Sequence, residues 1–314
     1  MTAVEAILEM PSKPNFADEL AARVSSATVI RRDEPLAKRT TLRVGGPADY
    51  YVEPADEKDL ASVLRFCGEQ EMPFFMLGRG SNLLIRDGGF RGVVICLASP
   101  VFSRIEITGE KMRCGAGAKL KNVAVEARRN GLTGVEFLEG IPGSVGGALR
   151  MNAGAMGGQT FDAVESVRVM DLEGNIRELP PQEMGVTYRS STTLKKHIAL
   201  GAVFKGKASS REEIEKRMKS YSEKRWESQP AAPSAGCIFK NPAAIPAGKL
   251  MDELGLKGTR VGGAVVSAEH GNFIINDGKA TARDVLDLIE ILKAKAKAAR
   301  GIELQTEVEI TGEE

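Results

Sequence analysis

The segment Gly140-Ile-Pro-Gly-Ser-Val-Gly-Gly-Ala-Leu-Arg-Met-Asn-Ala-Gly-Ala-Met-Gly-Gly158 constrains this chain most. Seven of its nineteen residues are glycine. Glycine enters positive φ freely and lets a ligand approach the backbone, but ordering it is costly in entropy. A turn needs one or two glycines, so this density points to a further use. Successive backbone N–H groups in such a loop form a concave anion site. A shorter loop of the same character, Leu77-Gly-Arg-Gly-Ser-Asn-Leu-Leu-Ile85, follows the apolar run Phe74–Leu77. Neither loop contains lysine. Two such loops suit the two phosphates of a dinucleotide; the plain alternative is two tight turns.

Other chemistries find little support. The chain has no G-x-x-x-x-G-K-[ST] and no G-x-G-x-x-G between a strand and a helix, so neither a P-loop nor a Rossmann site is visible. It has two histidines, His197 and His270, and no G-x-S-x-G elbow, which disfavours a hydrolase triad and a histidine metal centre. The four cysteines, Cys67, Cys96, Cys114 and Cys237, form no C-x-x-C pair, so no zinc site or disulfide framework is expected. A net charge of +1 gives no field for nucleic acid or a membrane surface. No apolar run approaches the ~20 residues that span a bilayer. Met1–Met10 lacks a basic start and carries acids among its apolar residues, unlike a signal peptide. A cytoplasmic enzyme without a metal is expected.

The residue pattern predicts an α+β chain. Helices are expected over 16–26, Asp56–Gln70 and Lys119–Asn130, the last stopped by Gly131. Buried strands are expected at Phe74–Leu77 and Val93–Leu97. A hairpin should join Arg104–Thr108 to Lys111–Cys114, and another Glu165–Met170 to Asn175–Leu179; Ile198–Phe204 follows as a strand. Ser210-Arg-Glu-Glu213 reads as a capping box opening a charged helix that Pro230 ends. This change of texture is the expected domain boundary. A helix near Lys249–Leu254, a strand at Asn272–Asn276 and a long helix capped by Thr281 and Asp284 complete the pattern. The final run Ile302–Ile310 alternates, with Ile302, Leu304, Thr306, Val308 and Ile310 facing inward and Glu303, Gln305, Glu307 and Glu309 opposite.

Seven segments in order resemble the UDP-N-acetylenolpyruvoylglucosamine reductase family. They are Thr41-Leu-Arg-Val-Gly-Gly46, Gly78–Leu84, Gly140–Gly147, Tyr188-Arg-Ser-Ser191, Ser234-Ala-Gly-Cys-Ile-Phe-Lys-Asn-Pro242, Leu256-Lys-Gly258 and the strand of Glu307. The resemblance runs from about Thr40 to the end and is to the shorter branch, which lacks an extra segment with a mobile tyrosine loop. It implies a two-subdomain FAD-binding module of the vanillyl-alcohol-oxidase type and a C-terminal α+β substrate-binding domain. The expected divisions are an N-terminal extension at 1–26, FAD subdomains at 27–98 and 99–206, and a substrate domain at 207–314.

It also implies that NADPH reduces FAD, and that reduced FAD then reduces the enolpyruvyl ether of UDP-N-acetylglucosamine for peptidoglycan synthesis. FAD is expected against Gly78, Arg79, Gly80, Ser81 and Asn82 of the shorter loop. In the longer one it is expected against Gly140, Ile141, Pro142, Gly143, Ser144, Gly146, Gly147, Asn152 and Gly154. The binding should be non-covalent, because neither loop holds histidine or cysteine. Arg189 matches the arginine that stabilises the substrate carboxylate, a task that suits a permanently charged planar fork. Glu307 matches the catalytic glutamate and is expected in the cleft, protonated through a raised pKa. Cys237 stands where the family generally has a serine proton donor; this is the clearest departure. Tyr188, Arg225, Asn241 and Lys257 match substrate or NADPH positions, and His270 faces either the nucleotide or a structural role. A monomer is expected. Two alternatives stay open: an oxidase of a sugar or alcohol on the same FAD module, and a flavin-binding protein without turnover.

Overall fold

A computed structural model describes residues 16–314; Met1–Met10, expected not to be a signal peptide, lies outside the described residues. Helix α1 (Phe16–Ala21) buries Leu20 and sets Phe16 against the rings of Tyr50 and Phe66, at centroid distances of 4.6 and 4.8 Å. Helix α2 (Glu57–Glu69) starts where the Asp56 carboxylate accepts the Asp59 N–H at 2.9 Å. Its Leu60, Val63, Leu64 and Cys67 form a buried stripe against the first sheet. That sheet has the order Val29–Pro35, Pro47–Glu53, Phe90–Ile95, Phe74–Met76; its first pair is antiparallel and the others parallel.

The second sheet is antiparallel, in the order Ile176–Leu179, Val164–Met170, Ile198–Lys205, Lys111–Gly115, Ile105–Thr108. Both expected hairpins are in it. Helix α3 (Leu120–Arg129) covers it and ends before Gly131, whose φ is +65°. The long glycine segment is not loop throughout. Val145–Met151 forms helix α4, with Asn152 at φ 38° as its left-handed cap. Its two glycines are poor helix formers, but burying Val145, Ala148 and Leu149 in the core of this sheet outweighs them.

Helix α5 (Arg211–Ser228), expected to open the domain starting at 207, packs with the chain before it. Its Ile214 and Met218 are buried in the core of the second sheet, not in the C-terminal domain. Only half of its capping box forms: Ser210 Oγ accepts the Glu213 N–H, while the Glu213 carboxylate takes the Ser209 hydroxyl. The described part of the expected extension at 1–26 also packs into the first core, through Leu20. We propose dividing the described chain into 16–98, 99–228 and 229–314.

The third sheet runs Ser234–Cys237, Phe273–Asn276, Ala264–Val266, Arg260–Val261. Helices α6 (Ala247–Glu253) and α7 (Ala282–Arg300) pack on it. At α7 the Thr281–Asp284 box is complete, and Gly301 ends the helix at φ +65°. Asp87 of the first domain also accepts the N–H groups of Ala282 and Arg283, both at 2.9 Å. Leu42, Val44 and Leu84 enter the third core, so the domains share buried surface. The terminal run alternates in burial except at Glu307, which is not exposed as Glu303, Gln305 and Glu309 are, and only Glu309–Thr311 is a strand, parallel to Leu83–Ile85. Among the described residues no helix is long and apolar enough to cross a membrane.

Candidate functional site

The two glycine loops meet. A Cβ on Gly78 would lie 2.8 Å from Ser144 Oγ, and one on Gly143 would lie 3.8 Å from Ser81 Oγ. Gly80 has φ +60° and sits against the Arg39–Thr40 backbone, where a Cβ would come within 2.5 Å of a carbonyl oxygen. Thr41 Oγ1 clamps the turn, donating towards the oxygens of Gly80 (3.2 Å) and Ser234 (2.6 Å). Two glycines of the longer segment face open space instead. No atom lies within 4 Å of the missing Cβ of Gly140, and only Ser144 Oγ, at 3.7 Å, approaches that of Gly147. Packed where the loops meet and open at Gly140 and Gly147, this backbone fits FAD. Gly146 is different: a Cβ there would press on Ala116 at 3.1 Å, so this glycine serves packing. Asn152 also turns inward. It is 4% exposed; its amide donates to Gln159 Oε1 at 2.9 Å and its oxygen accepts the Phe161 N–H at 3.2 Å.

Arg189 and Glu307 come together from different domains. Val186–Thr187 and Ser190–Ser191 form a tight hairpin, with Tyr188 and Arg189 as its turn. Arg189 has φ +56°, a strained conformation for a side chain of this size. It is held from outside: Arg189 Nε donates to Glu307 Oε1 at 2.8 Å. The two side chains are 21% and 12% exposed, against 46% for Glu309 and 76% for Glu303. The backbone places Glu307. Its N–H donates to the Ile238 oxygen at 2.7 Å, and its own oxygen accepts from Asn82 Nδ2 at 3.2 Å. The family resemblance implies a protonated donor at Glu307. Here its carboxylate accepts from a guanidinium, the geometry of an ion pair.

Cys237 ends the Ser234–Cys237 strand, where Gly236 at φ +76° breaks the register with Phe273–Asn276. Burial pushes its thiol up to about 12, the nearby Glu307 carboxylate adds to the shift, and Arg189 and a hydrogen bond with Asn272 oppose it. The sulfur therefore keeps its proton at neutral pH. Three residues distant in sequence thus face one another beside the glycine cradle.

The remaining candidates divide. Tyr188 is 50% exposed, with the Arg189 guanidinium 4.9 Å from its ring centre. Burial raises its phenol above the ordinary value, Glu307 adds to this, and a backbone hydrogen bond from Asn241 opposes it. The Asn241 side chain is engaged elsewhere, accepting the Ala247 N–H at 3.0 Å at the start of α6. Lys257 pairs with Asp252 at 3.0 Å and stands near His270. Burial, then the Lys257 charge, hold His270 below its ordinary pKa. Its Nδ1 accepts the Asn272 N–H at 3.1 Å, so the ring has a structural task at least. Arg225 lies near Glu139, the residue before Gly140, and its buried Nε has no hydrogen-bond partner. Arg79 and Pro142 are exposed at the two loops, and Ile141 packs against the second core. A Cβ on Gly154 would lie 3.3 Å from Arg189 Nη1. Among the described residues no three of His, Cys, Asp and Glu gather as a metal site.

Asn272 is a residue that the sequence does not single out. It is 3% exposed and grips the Phe239 backbone at both ends, accepting N–H at 2.9 Å and donating to the oxygen at 2.8 Å. It thereby sets the loop that carries Cys237. The available signal is a pair of asparagines, Asn272 and Asn276, bracketing a buried apolar strand, because buried amides require partners.

The profile described as UDP-N-acetylenolpyruvoylglucosamine reductase, C-terminal domain, matches residues 229–311, and that described as FAD binding domain matches residues 48–180. The UDP-N-acetylenolpyruvoylglucosamine reductase of Clostridioides difficile (strain 630) is 45% identical over 287 residues, covering 91% of this chain and 94% of that protein. That of Clostridium novyi (strain NT) is 44% identical, covering 88% and 90%. The crystal structure of the Thermus caldophilus enzyme superimposes with a TM-score of 0.78 at 40% identity, over 90% of this chain and 98% of that one. By these matches the chain belongs to the UDP-N-acetylenolpyruvoylglucosamine reductase family.

Proposed function

We propose that the protein reduces the enolpyruvyl ether of UDP-N-acetylglucosamine to UDP-N-acetylmuramate, with non-covalent FAD and with NADPH as hydride donor. The observation that carries this reading is the meeting of Arg189, Glu307 and Cys237 beside the glycine cradle. FAD held against the Gly78–Asn82 and Gly140–Gly147 loops would supply the redox chemistry, the transfer of a hydride from NADPH to the methylene carbon of the enol ether. The protein handles charge and a proton. Adding hydride to the methylene carbon opens the double bond and sends negative charge through the neighbouring carbon into the substrate carboxylate. Arg189 faces that carboxylate with its terminal nitrogens, because Glu307 already holds its Nε. The neighbouring carbon then takes the Cys237 thiol proton, solvent returns a proton to the resulting thiolate, and the product leaves with one hydride and one proton added. Tyr188, Arg225 and Lys257 line the approach for the diphosphate or for NADPH. The protein acts as a cytoplasmic monomer; four free cysteines support the reducing compartment.

Anaerobic addition of NADPH to the purified yellow protein tests this. Flavin absorbance should bleach, then return when the enolpyruvyl ether is added, with UDP-N-acetylmuramate formed in equal amount. Bleaching that only oxygen reverses would favour an oxidase instead.

A further inference from the structure

The chain contains one tryptophan, Trp226, and it is 60% exposed. It lies in the last turn of α5, whose buried residues are Ile214 and Met218. Packing of the helix therefore leaves the position of the indole without an explanation. Its neighbour supplies one. The Arg225 guanidinium sits 5.4 Å from the indole centre, its Nε is buried without a partner, and it lies near Glu139 at the start of the long glycine segment. An exposed indole beside a guanidinium whose Nε has no partner suits a nucleotide: the base stacks on the ring and the phosphates meet the cation.

We propose that Trp226 is the stacking platform for the uracil of the UDP-linked substrate, with Arg225 beside it for the diphosphate. The inference rests on the function proposed above. Trp226 would then set affinity for the nucleotide handle and leave the reacting atoms alone.

A single tryptophan makes the test direct. The FAD-loaded protein is titrated with UDP, following tryptophan emission and binding heat in parallel. Emission should change saturably, with the same midpoint as the heat. Trp226→Ala should raise KM for the enolpyruvyl substrate about tenfold, with kcat and the KM for NADPH unchanged. Trp226→Phe, which keeps a ring, should stay within about threefold of the parent. Because the side chain is exposed, neither variant threatens the fold. UDP binding with constant emission, an unchanged substrate KM in Trp226→Ala, or a KM effect confined to NADPH overturns the stacking alone. A protein that binds no UDP overturns both the stacking and the proposed reaction.

Discussion

The long glycine segment and the terminal run make opposite cases. The glycine segment is conspicuous in sequence, yet its glycines do different jobs. Gly146 makes room for Ala116, while Gly140 and Gly147 present bare backbone. The terminal run has the pattern of one more alternating strand with a solvated acidic face. Yet Glu307 turns into the cleft while Glu303 and Glu309 stay outside. Backbone demands are visible in composition because glycine alone meets them. The duty of a side chain is set by what folds against it, and composition does not carry that.

The largest test of this contrast is the side chain that departs from the family pattern. Cys237→Ala should slow flavin reoxidation by the enolpyruvyl substrate by ~10²–10⁴, the usual share of a general acid. Cys237→Ser should keep substantial activity, because a hydroxyl donates from the same place. Stopped-flow absorbance of each half-reaction separates the steps. A flavin-replete alanine variant with near-normal reoxidation would show that the cysteine only fills space.

Next comes the ion pair. Arg189→Ala and Glu307→Gln should leave reduction by NADPH intact and slow reoxidation by ~10²–10³, since the charge they manage arises only in the second half-reaction. Slowed reduction with normal reoxidation would reverse the assigned roles.

The glycine segment can be divided in the same way. Gly147→Ala meets nothing closer than 3.7 Å and improves helix propensity, so the flavin-free fold should hold or gain stability. Its FAD affinity should fall about tenfold if bare backbone faces the cofactor. Gly146→Ala, pressed against Ala116, should instead lower the melting temperature of the flavin-free protein. Equal behaviour of the two variants would erase the distinction between cradle and packing glycines.

Much of the fold is legible in the sequence because its signals are local. The helical stripe from Leu60 to Cys67, the Thr281–Asp284 box and the paired hairpins each declare themselves within a few residues. Helix α4 is hidden because Gly146 and Gly147 lower its propensity, and tertiary burial of Val145, Ala148 and Leu149 decides it. A boundary at 207 suggests itself because α5 has a solvated pattern. Two apolar residues, Ile214 and Met218, anchor it to the preceding core. In the site, resemblance singles out Arg189, Cys237 and Glu307, but no local pattern announces that they meet. Nor does any predict the positive φ of Arg189 or the bonds that Asn272 makes to Phe239.

Three thiols offer a further comparison, between core and site. Burial pushes Cys67, Cys114 and Cys237 each up to about 12. In the unfolded chain each releases its proton near the ordinary value of about 8.5. Between those limits the unfolded state binds fewer protons than the native one, so stability falls as pH rises. The slope is at most about tenfold in the folding equilibrium per thiol per pH unit. Denaturant midpoints at pH 8, 9 and 10 should decline steadily, and Cys67→Ala should flatten the decline although Cys67 lies far from the chemistry in sequence and packs on α2. A constant midpoint across this range would mean that the native thiols ionise as readily as exposed ones.

The smallest effect completes the comparison within the terminal run. Glu309 lies two residues beyond Glu307, and its carboxylate pairs with Arg150 at 3.5 Å, with both side chains more than 40% exposed. Surface pairs of this kind contribute about 0–1 kcal/mol. Glu303 is similar, paired with Lys297 at the surface. The backbone of Glu309 still matters, since its N–H donates to the Asn82 oxygen at 3.0 Å, but a change of side chain spares that bond. Glu309→Gln and Glu303→Gln should therefore change both half-reactions by less than about twofold. Glu307→Gln, chemically the same substitution in the same run, should reach ~10² or more. If Glu309→Gln slowed reoxidation as strongly as Glu307→Gln, the decisive property would be the acidity of the whole strand face, and the inward turn of one glutamate would lose its meaning.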